Sequence, residues 1–452
     1  MSQNGNSFWD RVPMPVLIGL WLLAIIIGAI MVFLAFFSPS IPSASPQAAT
    51  QNAPAAEGAP LAAFPPTGAP PPPAATALPG GNPAAQPTVP PLLDPSMEFG
   101  IQSNAITGDP DYTVRTIKDK LLLGWVKQQL RWGDFSPAPG QMDWSGFDRV
   151  VEAASAQDIR VMLSIVTAPQ WSRPAAEGVH GPPDDLNTFA QFVGEVVDRY
   201  QGRVQAIEVW NEQNIDSEWK TNPQVISPER YVEMLKLAYQ VIKSKDPNII
   251  VISGALSPTG FFGGGCSATG SGCDDQEPYL RRMTELGFLD YADCVGVHVN
   301  GFNLPPEYRH DAGYNDPTAN FRGPFDNPHP SWSFRSTLED NYNVTGRRKP
   351  LCVTEFGWAA YEGMSATALQ SYEFGLDNTA QEQADWDAQA FRLMREWGYV
   401  KLAFLFNLDF AQKSPQGAGD RTAPWSITDL QGAERPAFRA VRRFMKEVLG
   451  IP

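Results

Sequence analysis

The sequence predicts an α/β protein built on a (β/α)8 TIM barrel, and three observations carry that expectation. After residue 95, short apolar runs alternate with amphipathic stretches, as in a parallel sheet whose strands are joined by crossover helices. Eight such runs are present, each followed by a helix or a long loop. No GxGxxG follows the first run, which removes the main sign of a doubly wound sheet.

The chain opens with a short segment, residues 1–13, read as a cytoplasmic N-terminus. Residues 14–37 read as a transmembrane signal anchor, because Val16 to Phe37 is apolar and carries no charge. That run is long enough to cross a hydrocarbon core of roughly 30 Å as a helix. A cleavable signal peptide usually has a shorter apolar core, about 7–15 residues, so an uncleaved anchor is expected. Arg11 precedes the segment and no Lys or Arg follows until Arg115, which predicts an N-in, C-out orientation. The expected location is therefore a cell membrane, single-pass, with the folded domain outside the cytoplasm. Residues 38–93 are dominated by Pro, Ala, Gly, Ser and Thr, so they predict a disordered tether.

Residues 94–452 should form the barrel. The strands are expected at Glu98–Ser103, Val126–Trp132, Val161–Val166, Ala206–Asn211, Ile249–Gly254, Cys294–Val299, Leu351–Phe356 and Leu402–Asn407. Helices are expected at Trp144–Ala156, Leu186–Tyr200, Pro228–Lys245, Gln276–Leu286, Gln381–Trp397 and Arg435–Leu449; Phe189, Phe192, Val193, Val196 and Val197 mark one apolar face. A site in such a barrel belongs at the C-terminal ends of its strands.

Composition narrows the function. The net charge is −15, from 34 Lys+Arg against 49 Asp+Glu, and no basic run interrupts it, so nucleic acid is not an expected partner. Four histidines and the absence of CxxC or CxH spacing leave no metal cluster to propose, and no cofactor motif emerges. Of the four cysteines, Cys266 and Cys273 bracket a short loop that a disulfide can staple. Cys294 and Cys352 lie in apolar runs and are expected as buried thiols.

Two strand ends stand out. Ile207-Glu208-Val209-Trp210-Asn211-Glu212 closes the fourth strand, and Val353-Thr354-Glu355-Phe356-Gly357-Trp358 closes the seventh. Sugars present C–H faces and hydroxyls, so aromatic rings beside carboxylates and amides suit carbohydrate recognition. Cleaving a glycosidic bond needs one carboxylic acid to protonate the leaving oxygen and a second carboxylate on the anomeric side.

On these residues the barrel resembles the clan A glycoside hydrolases, most of all glycoside hydrolase family 39 and its endo-acting relatives. The segments Pro139-Gly140-Gln141-Met142-Asp143-Trp144 and Thr167-Ala168-Pro169-Gln170-Trp171 add to that likeness, which covers about residues 96–449. The resemblance implies a retaining glycosidase with a carbohydrate substrate, Glu212 as acid/base and Glu355 as nucleophile. It implies that Asn211 holds the sugar 2-hydroxyl and that Arg131, ending strand two, keeps the nucleophile ionised; an ion pair of Arg131 with Glu208 is the alternative. His298 matches a family His-x-Tyr, but Asn300 stands where tyrosine is usual, leaving Tyr308 or Tyr314 as replacements. A strand-eight tryptophan is replaced by Phe406 or lost, which makes Trp171, Trp219 and Trp358 the candidate sugar platforms. A non-catalytic polysaccharide-binding barrel, or a transglycosidase, would share these residues.

Overall fold

The computed structural model describes residues 96–452 apart from 177, 179 and 365–371. The expected anchor at 14–37 and linker at 38–93 lie outside them. Among the described residues no helix is long and apolar enough to cross a membrane.

Eight parallel strands form the barrel: β1 Glu98–Gln102, β2 Trp125–Arg131, β3 Arg160–Val166, β4 Ala206–Val209, β5 Ile250–Ser253, β6 Val295–Gly301, β7 Leu351–Trp358 and β8 Val400–Leu405. Their order is β5-β4-β3-β2-β1-β8-β7-β6. Parallel bridges Ile252 to Cys294 and Leu256 to Val297 join β5 to β6 and close the circle. A helix follows each strand: α1 Pro110–Arg115, α2 Ser145–Ala156, α3 Leu186–Arg199, α4 Pro228–Lys245, α5 Arg281–Glu285, α6 Phe334–Val344, α7 Ala380–Trp397 and α8 Pro436–Leu449.

Local chemistry fixes most of these helix starts. Asp109, Asp185, Ser227 and Ser333 accept backbone N–H groups of the first turn, and Thr379 with Glu382 makes a reciprocal capping box. The sequence reading did not include α1 or α6, although Asp109-Pro110 and Ser333 carry start signals. Both helices are short and sit among loops whose composition masks them.

The barrel interior is layered. Its lower layer packs Trp125, Met162, Ala206, Ile252, Cys294, Cys352, Leu402 and Phe404. Gly100 is required there, because a Cβ on it would lie 2.5 Å from the Phe404 ring. Two residues further along β2, the same inward phase presents Lys127, so the layer above is charged.

Both cysteine pairs are disulfides. Cys266–Cys273 is the staple the sequence offered. Cys294 and Cys352 are not free thiols, contrary to expectation: they sit side by side on neighbouring strands, Cα atoms 5.7 Å apart, and are bonded. Adjacent parallel strands bring two inward residues of one layer within disulfide range.

Candidate active site

The mouth of the barrel is organised by two backbone irregularities. After β4 the chain leaves extended geometry, with φ of 76° at Trp210 and 46° at Glu212. Side chains rarely tolerate this region, and each such residue costs about 1–3 kcal/mol unless its surroundings impose it. Here they do. Trp210 Nε1 donates to Glu218 O at 3.2 Å, and Glu212 N donates to Ala255 O at 2.8 Å. Gln213 Nε2 donates to Gly254 O at 2.8 Å, while Asn214 Nδ2 donates to Ser257 O and its Oδ1 accepts from Ser257 N. Gly254 makes room for this lattice, since its Cβ would lie 2.6 Å from Gln213 Oε1.

The second irregularity is a register shift of β7 against β6 and β8. Thr354 Oγ1 donates to Glu208 Oε1 at 2.6 Å inside the barrel, so strict alternation would send Glu355 outward. The bulge turns Glu355 inward as well. Its oxygen meets Lys127 Nζ at 2.8 Å.

Those turns bring the two expected carboxyls together. His298 Nδ1, on β6, lies 3.0 Å from Glu212 Oε1 and 3.8 Å from Glu355 Oε2. Oε2 of Glu212 is buried and has no partner among the described residues. Burial, the nearby Glu355 and then Glu218 push the Glu212 pKa well above the usual carboxylate value, which favours its protonated form. Burial and the Lys127 charge lower His298 to about 3, which leaves its imidazole neutral.

Lys127 was not anticipated. It is wholly buried, ion-paired to Glu355 and, at 3.3 Å, to Glu208, and it donates to Thr354 O at 3.2 Å. Burial alone would lower its pKa, but the two carboxylates more than reverse this. The cation expected beside the nucleophile was Arg131. Arg131 instead contacts His180 and pairs with Asp134 at 3.3 Å, and the cation on Glu208 is Lys127 too. β2 presents 127, 129 and 131 on one face, and its last residue rises past the carboxyls to the rim.

The other expected residues divide. Asn211 is buried at the mouth, its Oδ1 3.4 Å from Gln129 Nε2. Asn300 lines a cavity with Glu355, Phe302, Tyr372, Phe406 and Trp425. Tyr308 and Tyr314 pack on each other, with ring centroids 4.8 Å apart, outside that lining. Trp358 is no platform: it is fully buried, donates to Leu304 O at 3.0 Å and packs on Phe334 and Trp386. Trp219 is likewise core, edge-on to Trp210. Trp171 lines a different cavity, beside Trp132 and Trp144, and donates to Ser136 O at 3.0 Å. The aromatic wall at Glu355 comes from Tyr372, Phe374, Phe406 and Trp425, largely from loops whose path periodicity does not reveal.

A carboxyl kept neutral by its site weakens the fold at neutral pH. Below the ordinary glutamate pKa both folded and unfolded chains carry the proton, so nothing is lost. Above it the unfolded chain ionises and the folded one resists, and stability falls as pH rises towards the folded-state value. Glu212→Gln should therefore raise Tm at pH 7 and leave it nearly unchanged at pH 4. A Tm that falls at pH 7 would mean the group is ionised in the folded protein.

Comparison with solved structures places this barrel. A family 39 glycoside hydrolase from the gut symbiont Bacteroides cellulosilyticus WH2 superposes with a TM-score of 0.56 and 18% identity, covering 80% of this chain and 66% of that one. The fold is that of glycoside hydrolases. A family 39 β-xylosidase from Caulobacter crescentus aligns with a TM-score of 0.50 and 17% identity, over 78% of this chain and 72% of its own. An exo-β-1,4-mannosidase from Opitutaceae bacterium strain TAV5 gives 0.52 and 14%, over 78% and 59%. No protein-family model matches the chain. A curated protein, the FMN-dependent NADH:quinone oxidoreductase 3 of Pseudomonas aeruginosa, is 48% identical over 40 residues. That stretch is 9% of this chain, and the chain spans only 18% of that relative's length, too little to carry fold or chemistry.

Proposed function

We propose that this protein is a retaining glycoside hydrolase that cleaves a poly- or oligosaccharide through a covalent glycosyl-enzyme. One observation carries the reading: a buried Glu212, whose surroundings favour its neutral form, and a lysine-paired Glu355 flank a single imidazole nitrogen at the barrel mouth. The two distances to that nitrogen bound the oxygen separation by their sum. That limit, set on one oxygen of each carboxyl, is compatible with the roughly 5–5.5 Å of retaining pairs.

The chemistry follows from the charges. Glu355 attacks the anomeric carbon while Glu212 gives its proton to the departing oxygen, and its unpartnered Oε2 is the atom free to do so. Once Glu355 is an ester, its negative charge no longer raises the Glu212 pKa. Glu212, now ionised, takes a proton from water as that water displaces the sugar. Lys127 holds the Glu355 carboxylate in position before attack and accepts it back as leaving group. Asn211, beside the acid, is assigned to the sugar 2-hydroxyl.

Two disulfides favour an oxidising compartment. With the apolar segment at 14–37, this supports a catalytic domain tethered outside the cytoplasm.

Glu212→Ala tests the roles. On aryl glycosides with good leaving groups, this variant should still form the intermediate and then stall. Azide, which needs no base, should restore turnover and yield a glycosyl azide of retained configuration. Absence of rescue, or an inverted azide, would remove Glu212 from the acid/base role.

A further inference from the structure

The segment that carries the acid is fastened to a single loop, the one that follows β5. Ile215 pairs antiparallel with Gly272, Asp216 N donates to Ser271 O at 3.0 Å, and Cys273 N donates to Asn214 O at 2.8 Å. Asn214 lies two residues past the acid and is fully buried. Its Nδ2 donates back to Cys273 O at 3.1 Å and to Thr259 Oγ1 at 3.0 Å. The same loop reaches the other carboxyl, since Ser257 and Pro258 line the Glu355 cavity.

The Cys266–Cys273 disulfide closes the hairpin whose returning arm, 271–273, makes those bonds. Ser267 N donates to Gly272 O at 2.8 Å within it, and Asp274 N donates to Gly265 O at 2.9 Å at its base. Gly263-Gly264-Gly265 leads in with no side chains to pack, so the covalent link does the ordering that a core would do elsewhere. The acid depends on that backbone. Its side chain has one anchor among the described residues, His298 Nδ1 on Oε1, while Oε2 has none. Its φ of 46° persists only while the surroundings impose it. The two disulfides also differ in access: Cys266 is exposed, whereas Cys294 and Cys352 are both fully buried.

We propose that Cys266–Cys273 is a positioning pair for the acid, and that opening it with a dithiol reversibly lowers proton delivery to the leaving oxygen. The dithiol gives up two electrons and two protons as it closes to its own disulfide, and the cysteines become two thiols. The 271–273 arm then loses its clamp, and the segment from Glu212 to Asp216 can leave the geometry that aims Oε2. The inference rests on the glycosidase reading above and adds a control on its first step.

The test is the double variant Cys266→Ser with Cys273→Ser, made in the full chain, which reproduces the open state and keeps Cys294–Cys352. The substrates are phenyl and 2,4-dinitrophenyl β-glycosides of xylose, glucose and mannose. A phenolate needs the acid's proton to depart, and a dinitrophenolate does not. On the sugar turned over best, kcat/KM for the phenyl glycoside should fall roughly 10- to 100-fold, part of what a general acid contributes, and that for the dinitrophenyl glycoside less than about threefold. Wild type in dithiothreitol should show the same split and recover on reoxidation. Equal losses on both glycosides, none on either, or a wild type indifferent to dithiothreitol would overturn the inference. Hydrogen exchange needs no turnover. Amides of 212–216 should exchange roughly tenfold faster in the double variant while those of β2 keep their wild-type rates, and unchanged exchange at 212–216 would overturn the positioning role. If the wild-type enzyme hydrolyses none of the six, the glycosidase reading is what fails, and exchange alone decides whether the disulfide holds that segment.

Discussion

Glu355→Gln abolishes turnover, with kcat/KM falling by roughly 10⁴-fold or more, while the barrel remains folded. The amide keeps the shape of the carboxylate and its place against Lys127, but it cannot form the ester on which the double displacement depends. Because Glu208 remains 3.3 Å from Lys127, the ammonium keeps one counter-charge, and thermal stability should change little. The check is steady-state kinetics on activated aryl glycosides alongside circular dichroism. A variant with near wild-type rates would take Glu355 out of the chemistry.

Lys127→Met has the largest expected effect on stability. It leaves Glu208 and Glu355 buried together with no cation between them, and breaking a buried charge cluster by removing one partner costs about 3–5 kcal/mol. For a domain of this size that lowers Tm by roughly 10 °C. The pH dependence has a definite sign. The lysine pKa is raised in the folded protein, so its stabilisation is fully present below the ordinary value of 10.5 and is lost only as pH climbs beyond it. Adding Glu208→Gln to Lys127→Met should recover part of the lost stability without restoring activity, since Glu355 would still lack its cation. If the single variant unfolds at the wild-type temperature, Lys127 does not hold the carboxylates as its distances imply.

What could be read beforehand depended on whether periodicity carries the information. The barrel strands and the helices at 228–245 and 186–199 follow from apolar spacing, and the observed elements agree to within a residue or two. Glu212 and Glu355 are legible because each lies near a strand's C-terminal end beside tryptophan, with Trp210-Asn211 before Glu212 and Phe356-Gly357-Trp358 after Glu355. Lys127 was not, because Trp-Val-Lys-Gln-Gln-Leu-Arg puts two cations on one face and gives no depth. The terminal arginine is the obvious reading, yet the deeper lysine meets the carboxylates. Trp358 was misplaced for a related reason. The bulge in β7 breaks the alternation that would tell which residues point inward, and hydrogen-bonded register alone reveals it. The Cys294–Cys352 bond does have a signal in the sequence: β6 and β7 follow one another, consecutive strands of a closed barrel are neighbours, and each cysteine lies near its strand's start.

The measurement that bears most directly on this account is covalent trapping. A 2-deoxy-2-fluoro glycoside of the preferred sugar, with a good leaving group, slows both steps and lets the glycosyl-enzyme accumulate for peptide mass spectrometry. One sugar attached to the peptide carrying Glu355, and absent from Glu355→Gln, is the predicted result. A label on any other residue, or a first-formed hydrolysis product of inverted configuration, would contradict it.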